Sequence, residues 1–128
     1  MGDLLRQGLA WLERQRHRHR TVRVAYVRGA STVRLAATVG RTVFETQDAR
    51  GIVEKTESRD FLVRATDLVL EGLRALPKRG DRIREIQGDR LYVYEVMAPG
   101  REPEWRWSDP YRRTLRIHTK QVDMEETP

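Results

Sequence analysis

The residues of this chain whose types could do chemistry are few: three histidines, a serine–aspartate pair, two adjacent glutamates and a dense run of arginines. Ser108, Asp109 and His118 supply the three groups of a hydrolytic relay. A relay serine, however, sits on a sharp glycine-framed turn, and no Gly-x-Ser-x-Gly element surrounds Ser108. His17 and His19 lie within Arg14-Gln15-Arg16-His17-Arg18-His19-Arg20, where neighbouring cations oppose a bound metal ion. Solvated or phosphate-facing imidazoles are therefore the expectation for all three histidines. Glu125-Glu126 sits in an acidic C-terminal stretch, and Arg79-Gly80-Asp81 reads as a turn. The chain has no cysteine, which excludes disulfides, thiolate catalysis and cysteine-ligated zinc. No enzyme activity, cofactor or metal is expected.

Charge gives the other chemical lead. Lys and Arg number 25 against 19 Asp and Glu, a net charge of +6, and only Lys55, Lys78 and Lys120 are lysines. Arginine makes planar bidentate contacts with carboxylates and phosphates, which suits subunit interfaces or proximity to nucleic acid. A GC-rich genome enriches arginine codons just as well, so the bias alone decides nothing. Within the run, Arg14, Arg16, Arg18 and Arg20 are the candidate DNA-proximal cations. Aromatic interleaving of the kind used for base stacking is thin, since Tyr26, Phe44, Phe61, Tyr92 and Tyr94 fall in predicted strands and suit a core.

These residues must be positioned by local elements. Asp3 to about Arg18 reads as a helix with Asp3 as N-cap, because Leu5, Leu9 and Leu12 recur at helical spacing beside Leu4 and Trp11. That stripe must rest on this domain's own sheet or on a neighbouring subunit, which makes Leu5, Leu9, Trp11 and Leu12 candidate docking residues. From Thr21 the period changes to two, with Val22, Val24 and Tyr26 alternating up to the Arg28-Gly29-Ala30 turn. Thr32–Thr38 and Arg41–Thr46 read as two further strands separated by Gly40. Gln47 to Ser58 lacks a persistent apolar face and reads as a long, mobile inter-strand loop. It contains Gln47, Asp48, Arg50, Gly51, Glu54, Lys55 and Glu57.

Arg59–Ala65 returns to strand character, and Thr66–Leu76 reads as a short helical turn or a buried connection. Leu76 to Val96 carries the clearest local signal. Gly80-Asp81 marks a turn, Gly88-Asp89 a second, and Leu91 to Val96 alternates β-branched and aromatic residues, which predicts a hairpin. Ala98 to Pro103 is a loop by composition. Trp105 and Trp107 share one face of an extended segment, where they either anchor a partner or close the end of a barrel. Thr114–Thr119 gives a last strand, and residues 121–128 read as a flexible acidic tail. The expected fold is one domain over residues 1–128. It is mainly β, a small barrel or sandwich of about six or seven strands, with one N-terminal helix and a long inter-strand loop.

With these elements placed, the order of motifs resembles the head-tail joining proteins of long-tailed bacteriophages and prophages, also called head-completion or stopper proteins. The matching residues are Arg59-Asp60-Phe61-Leu62 with Asp67-Leu68, then Pro77 with Gly80-Asp81-Arg82-Ile83, then Gly88 and Tyr94-Glu95-Val96. Trp105-Arg106-Trp107-Ser108-Asp109 and Thr114-Leu115-Arg116-Ile117 complete them, so the resemblance spans about residues 40 to 120. It implies a β-barrel subunit of a six-fold ring in the virion neck, made in the host cytoplasm, with Gln47, Asp48, Arg50, Gly51, Glu54, Lys55 and Glu57 as candidate channel or gate residues and Leu5, Leu9, Trp11, Leu12, Trp105 and Trp107 as candidate residues for docking on an adaptor or a neighbouring subunit. Its partners would be its own copies, a portal–adaptor ring, a tail terminator or tail tube, and packaged DNA, with no membrane involved. The competing reading is a small basic β-barrel that binds nucleic acid. Within the phage class, a tail terminator is the other candidate.

Overall fold

The computed structural model describes residues 21–126, so the predicted helix, its apolar stripe and the arginine run lie outside the described residues. Nine strands follow one another: β1 (Thr21–Arg28), β2 (Ser31–Gln47), β3 (Val53–Arg64), β4 (Val69–Leu70), β5 (Leu73–Arg74), β6 (Arg82–Gln87), β7 (Arg90–Val96), β8 (Trp105–Trp107) and β9 (Thr114–Glu126). Seven of them form one antiparallel sheet in the order β3-β2-β1-β6-β7-β9-β8, and β9 also pairs with β3. The expected mainly β architecture is present.

Alternation sets the inner face. Val24 and Tyr26, Leu35 and Ala37, Phe61 and Val63, Tyr94 and Val96, and Leu115 and Ile117 all point inward and are buried, together with Ile83. Residues between them on the same strands face out. The Gly88-Asp89 hairpin lies where the sequence places it, with Gln87 opposite Arg90.

Four expectations are corrected. Thr32–Thr38 and Arg41–Thr46 are one continuous strand, because Gly40 keeps its place in the ladder opposite Asp60. Gln47–Ser58 is not a long loop: Val53 onward belongs to β3, leaving only a five-residue turn. Residues 121–126 are not a loose tail, since β9 continues through them against β7, with a register shift at Val93/Tyr94. Thr66–Leu76 is not a helical turn; the buried connection carries a miniature hairpin, β4–β5. Its two turn residues, Glu71 and Gly72, both have positive φ, as a tight two-residue reversal requires. It presses Leu68 and Leu70 into the core and leaves Leu73 exposed.

The end of the sheet where β1 finishes is held by Asp81, which is 5% exposed. The Tyr26 hydroxyl donates to it, as do Arg28 Nε at 3.0 Å, Arg28 Nη2 at 2.7 Å and the Lys78 amide at 2.9 Å. Arg28 also donates to the Leu76 carbonyl at 2.6 Å, so β1 is tied to the chain entering β6. Burial works against the charge on Asp81, but the Arg28, Tyr26 and Lys78 donors outweigh it and hold the carboxyl below its usual range. Burial and the adjacent carboxylate push the Tyr26 hydroxyl well above its usual range, so it remains a donor. The Arg79-Gly80-Asp81 tripeptide is thus a structural turn.

Removing this acceptor tests the clamp. Tyr26→Phe leaves Asp81 its cationic and amide partners and should cost about 1 kcal/mol. Asp81→Ala leaves a buried hydroxyl and an unpaired guanidinium and should cost about 2–4 kcal/mol. Urea unfolding midpoints at unchanged slope should show that order; equal costs would mean that Asp81 is not the hub.

Candidate functional site

The feature that projects from the sheet is the β2–β3 ribbon. Ten consecutive pairs join these strands, from Thr38↔Leu62 to Gln47↔Val53. β1 reaches β2 only as far as Thr38, and β9 reaches β3 only as far as Arg59. Among the described residues, each strand beyond Thr42↔Ser58 therefore has only the other, over roughly 17 Å at the usual rise per residue. Thr42, Val43, Phe44, Thr46, Val53 and Thr56 give it β-propensity, although both of its faces are largely wet.

Charge pins its register. Glu45 stands directly opposite Lys55, and Arg41 bonds diagonally to Glu57 at 3.6 Å. Arg41 and Arg59 also face each other, an unfavourable like-charge pair. It is relieved because Arg59 turns to Glu85, with Nη2 3.0 and 2.9 Å from its two carboxylate oxygens. The Arg59 guanidinium lies 5.0 Å from the Tyr94 ring centre and 5.5 Å from that of Phe61. The tip is organised by Asp48, whose Oδ1 accepts the Arg50 and Ile52 amides, each at 2.9 Å, while Gly51 adopts φ +82°.

The ribbon's root rests on a buried polar cluster. Asp60 is fully buried and accepts from His118 Nδ1 at 2.9 Å, Ser58 Oγ at 2.6 Å, Arg116 Nη1 at 2.7 Å and the Thr42 hydroxyl. Burial raises the Asp60 pKa, but the donors from His118, Ser58, Thr42 and Arg116 prevail and bring the carboxyl down to about 2. Gly40 makes the approach of Arg116 possible, since a Cβ there would lie 3.3 Å from Arg116 Nη1. His118 also holds the β7–β8 connection at both ends. Its carbonyl accepts the Met97 amide at 3.0 Å and its amide donates to the Glu104 carbonyl at 2.9 Å. Phe44 meets the His118 ring edge-on at 5.3 Å, and Thr46 comes against Gly100. The 97–104 segment thus covers one face of the ribbon root, and it is the longer loop of this region.

The predicted site residues divide accordingly. Gln47 ends β2, and Asp48, Arg50 and Gly51 form the tip. Glu54, Lys55 and Glu57 lie on β3, so the structure brings all seven together on a paired ribbon. Trp105 and Trp107 are half-buried on β8, with ring centres 5.2 Å apart, and pack against the core. Leu5, Leu9, Trp11, Leu12, Arg14, Arg16, Arg18 and Arg20 lie outside the described residues. His118 is not solvated: it is 1% exposed. The Ser108–Asp109–His118 arrangement does not form, because Asp109 instead accepts the Arg113 and Thr114 amides and His118 bonds Asp60. Nor is Ser58–His118–Asp60 a relay. Ser58 and Asp60 both face Nδ1, whereas a relay needs the hydroxyl on the other ring nitrogen. Sequence reading missed Asp60, Ser58 and Arg116 as a cluster. The available signal was the Ser58-x-Asp60 pair directly before the apolar run Phe61-Leu62-Val63.

A family model described as "Phage head-tail joining protein" matches residues 2–126 of the chain. No curated protein and no solved structure matches it.

The Asp60 carboxyl supplies a pH test. Its folded pKa, about 2, lies below the ordinary carboxylate value, so its contribution is present above about pH 4 and is lost as pH falls toward 2. That component should amount to about 2 kcal/mol. Urea unfolding between pH 7 and 2 should show Asp60→Asn less stable at pH 7, with a shallower decline below pH 4. Parallel declines would remove Asp60 as the acid-sensitive group.

Proposed function

The chain belongs to the phage head-tail joining protein family, and from that premise we propose that it forms a six-fold ring in the virion neck, completes the DNA-filled head and joins it to the tail. In this reading it contacts a portal–adaptor ring on the head side and a tail terminator or tail tube on the other, and packaged DNA passes through the ring. The return of the strand order to β3 through the β3–β9 pairing supports a closed barrel as the body of each subunit.

The observation that carries the finer reading is the projecting ribbon. A gate needs an element that leaves the subunit body yet keeps a fixed direction. Residues 42–58 do so, self-paired and closed at the tip by Asp48. The ribbon from each subunit reaches into the channel and helps retain DNA.

Two experiments test this. Particles made without the gene should accumulate as DNA-containing or leaky heads beside free, complete tails in electron micrographs. Normal joined particles would remove the neck assignment. Replacing Glu45–Lys55 by Asn-Gly keeps the Phe44 and Thr56 pair and the Asp60 cluster, so the body should fold with a nearly unchanged urea midpoint. Particles carrying that variant should join tails but release nuclease-sensitive DNA. Tight heads would remove the gate role and leave the joining role standing.

A further inference from the structure

At the end of β3 away from the ribbon, four arginines line one cleft of about 600 Å³. Arg64 closes β3, Arg74 lies on β5, and Arg112 and Arg113 stand in the loop from β8 to β9. All four are exposed, and among the described residues none joins an ion pair. The one carboxylate in the lining is Asp109. It is largely spent on the chain itself, accepting the Arg113 amide at 3.0 Å and the Thr114 amide at 2.8 Å, while its charge offsets that of Arg113. Asp67 lines the neighbouring hollow on the other side of Arg64. The cleft therefore keeps a surplus of positive charge.

The loop that supplies half of these cations is held in shape. The Arg113 carbonyl accepts the Ala65 amide at 2.9 Å, which ties the loop to the end of β3. The Thr114 carbonyl accepts the Ser108 amide at 2.8 Å and closes the loop on itself. Arg112 adopts φ +57°, a left-handed conformation that a non-glycine residue keeps only where its surroundings impose it. This framework presents Tyr111 with 77% of its surface exposed. The Arg113 guanidinium lies 5.6 Å from the centre of the Tyr111 ring.

Four cations without ion-pair partners call for an anionic ligand. A protein interface would offer an apolar centre, whereas Ala65 and the Tyr111 ring are the cleft's only apolar surfaces apart from side-chain stems. Nucleic-acid sites are more polar and far more cationic than protein interfaces, and the planar guanidinium fork engages phosphate oxygens in pairs. A tyrosine ring open to solvent is a platform for an unpaired base, which a base stacked inside a duplex cannot reach.

We propose that this cleft binds single-stranded DNA, with Arg64, Arg74 and Arg112 on its phosphates and a base stacked on Tyr111 beside Arg113. The choice of DNA rests on the neck reading; the charge and the stacking platform do not.

Fluorescence anisotropy of a labelled oligothymidylate strand with the purified full chain, over a salt series, tests the site. The wild type should bind, and more weakly as salt rises. Arg64→Gln, Arg74→Gln, Arg112→Gln and Arg113→Gln together should weaken binding about tenfold or more and flatten the slope of log affinity against log salt by about 2–3. The same loss of charge elsewhere, by Arg23→Gln, Arg34→Gln, Arg82→Gln and Arg84→Gln together, should flatten it much less. Tyr111→Ala should weaken binding about tenfold, and Tyr111→Phe should leave it near the wild type. Urea midpoints report folding, and Arg74→Gln or Arg112→Gln alone carries the same comparison, at about 0.7 in slope, if the fourfold variant unfolds. No binding at low salt overturns the site, as does an equal loss from both arginine sets; neither result touches the head-tail joining role. A duplex bound as tightly, with no effect of Tyr111→Ala, overturns the single-strand assignment. Polyglutamate that displaces the strand at equal charge concentration overturns DNA as the ligand in favour of an acidic protein segment.

Discussion

A carboxylate with no exposed surface lies where β2, β3 and β9 meet, and the arrangement that carries the ribbon depends on satisfying it. An uncompensated buried charge costs several kcal/mol, so Asp60 must be met by donors with correct geometry. Those donors come from different places: Thr42 on β2, Ser58 on β3, and Arg116 and His118 on β9. One charge therefore specifies the relative positions of three strands. His118 extends the constraint, because its backbone groups hold both ends of the 97–104 segment that packs beneath the ribbon. Apolar packing is tolerant of small slides along a strand. A four-donor carboxylate is not, so the cluster fixes register where the core alone would leave it loose.

How much of this was legible follows from what each signal reports. The Gly88-Asp89 hairpin and β1 were readable because one of their faces is buried, and burial on one face writes a period of two into the sequence. The ribbon escaped for the complementary reason: with most of its surface exposed it carries no continuous apolar stripe, and Glu45 opposite Lys55 looks like loop composition until the strands are paired. Residues 121–126 were misread likewise, since their acidic composition describes a solvated edge strand as well as a loose tail. Asp60 and His118 stand 58 positions apart, and no local pattern announces such a meeting. Arg59-Asp60-Phe61 did figure in the family resemblance, but as a motif without a mechanism. The structure gives it one: Arg59 turns inward to Glu85, Asp60 outward to its donors, and Phe61 into the core.

Pairing also changes what the ribbon can do. A twelve-residue loop must lose conformational entropy each time it is held in place, whereas a ribbon has lost it on folding and projects in a direction set by its root. In the proposed neck reading the Asp60 cluster bears on function as well as on stability, because it holds the strands from which the ribbon leaves the body. Residues 41–57 carry three cations and four carboxylates, and opposite charges face each other along the strands. A strongly cationic element would bind DNA phosphates and hold them through counterion release, opposing later passage. A stiff, nearly neutral ribbon obstructs by position and binds weakly. That combination is what the neck reading needs of an element that retains DNA under one condition and lets it slide past under another.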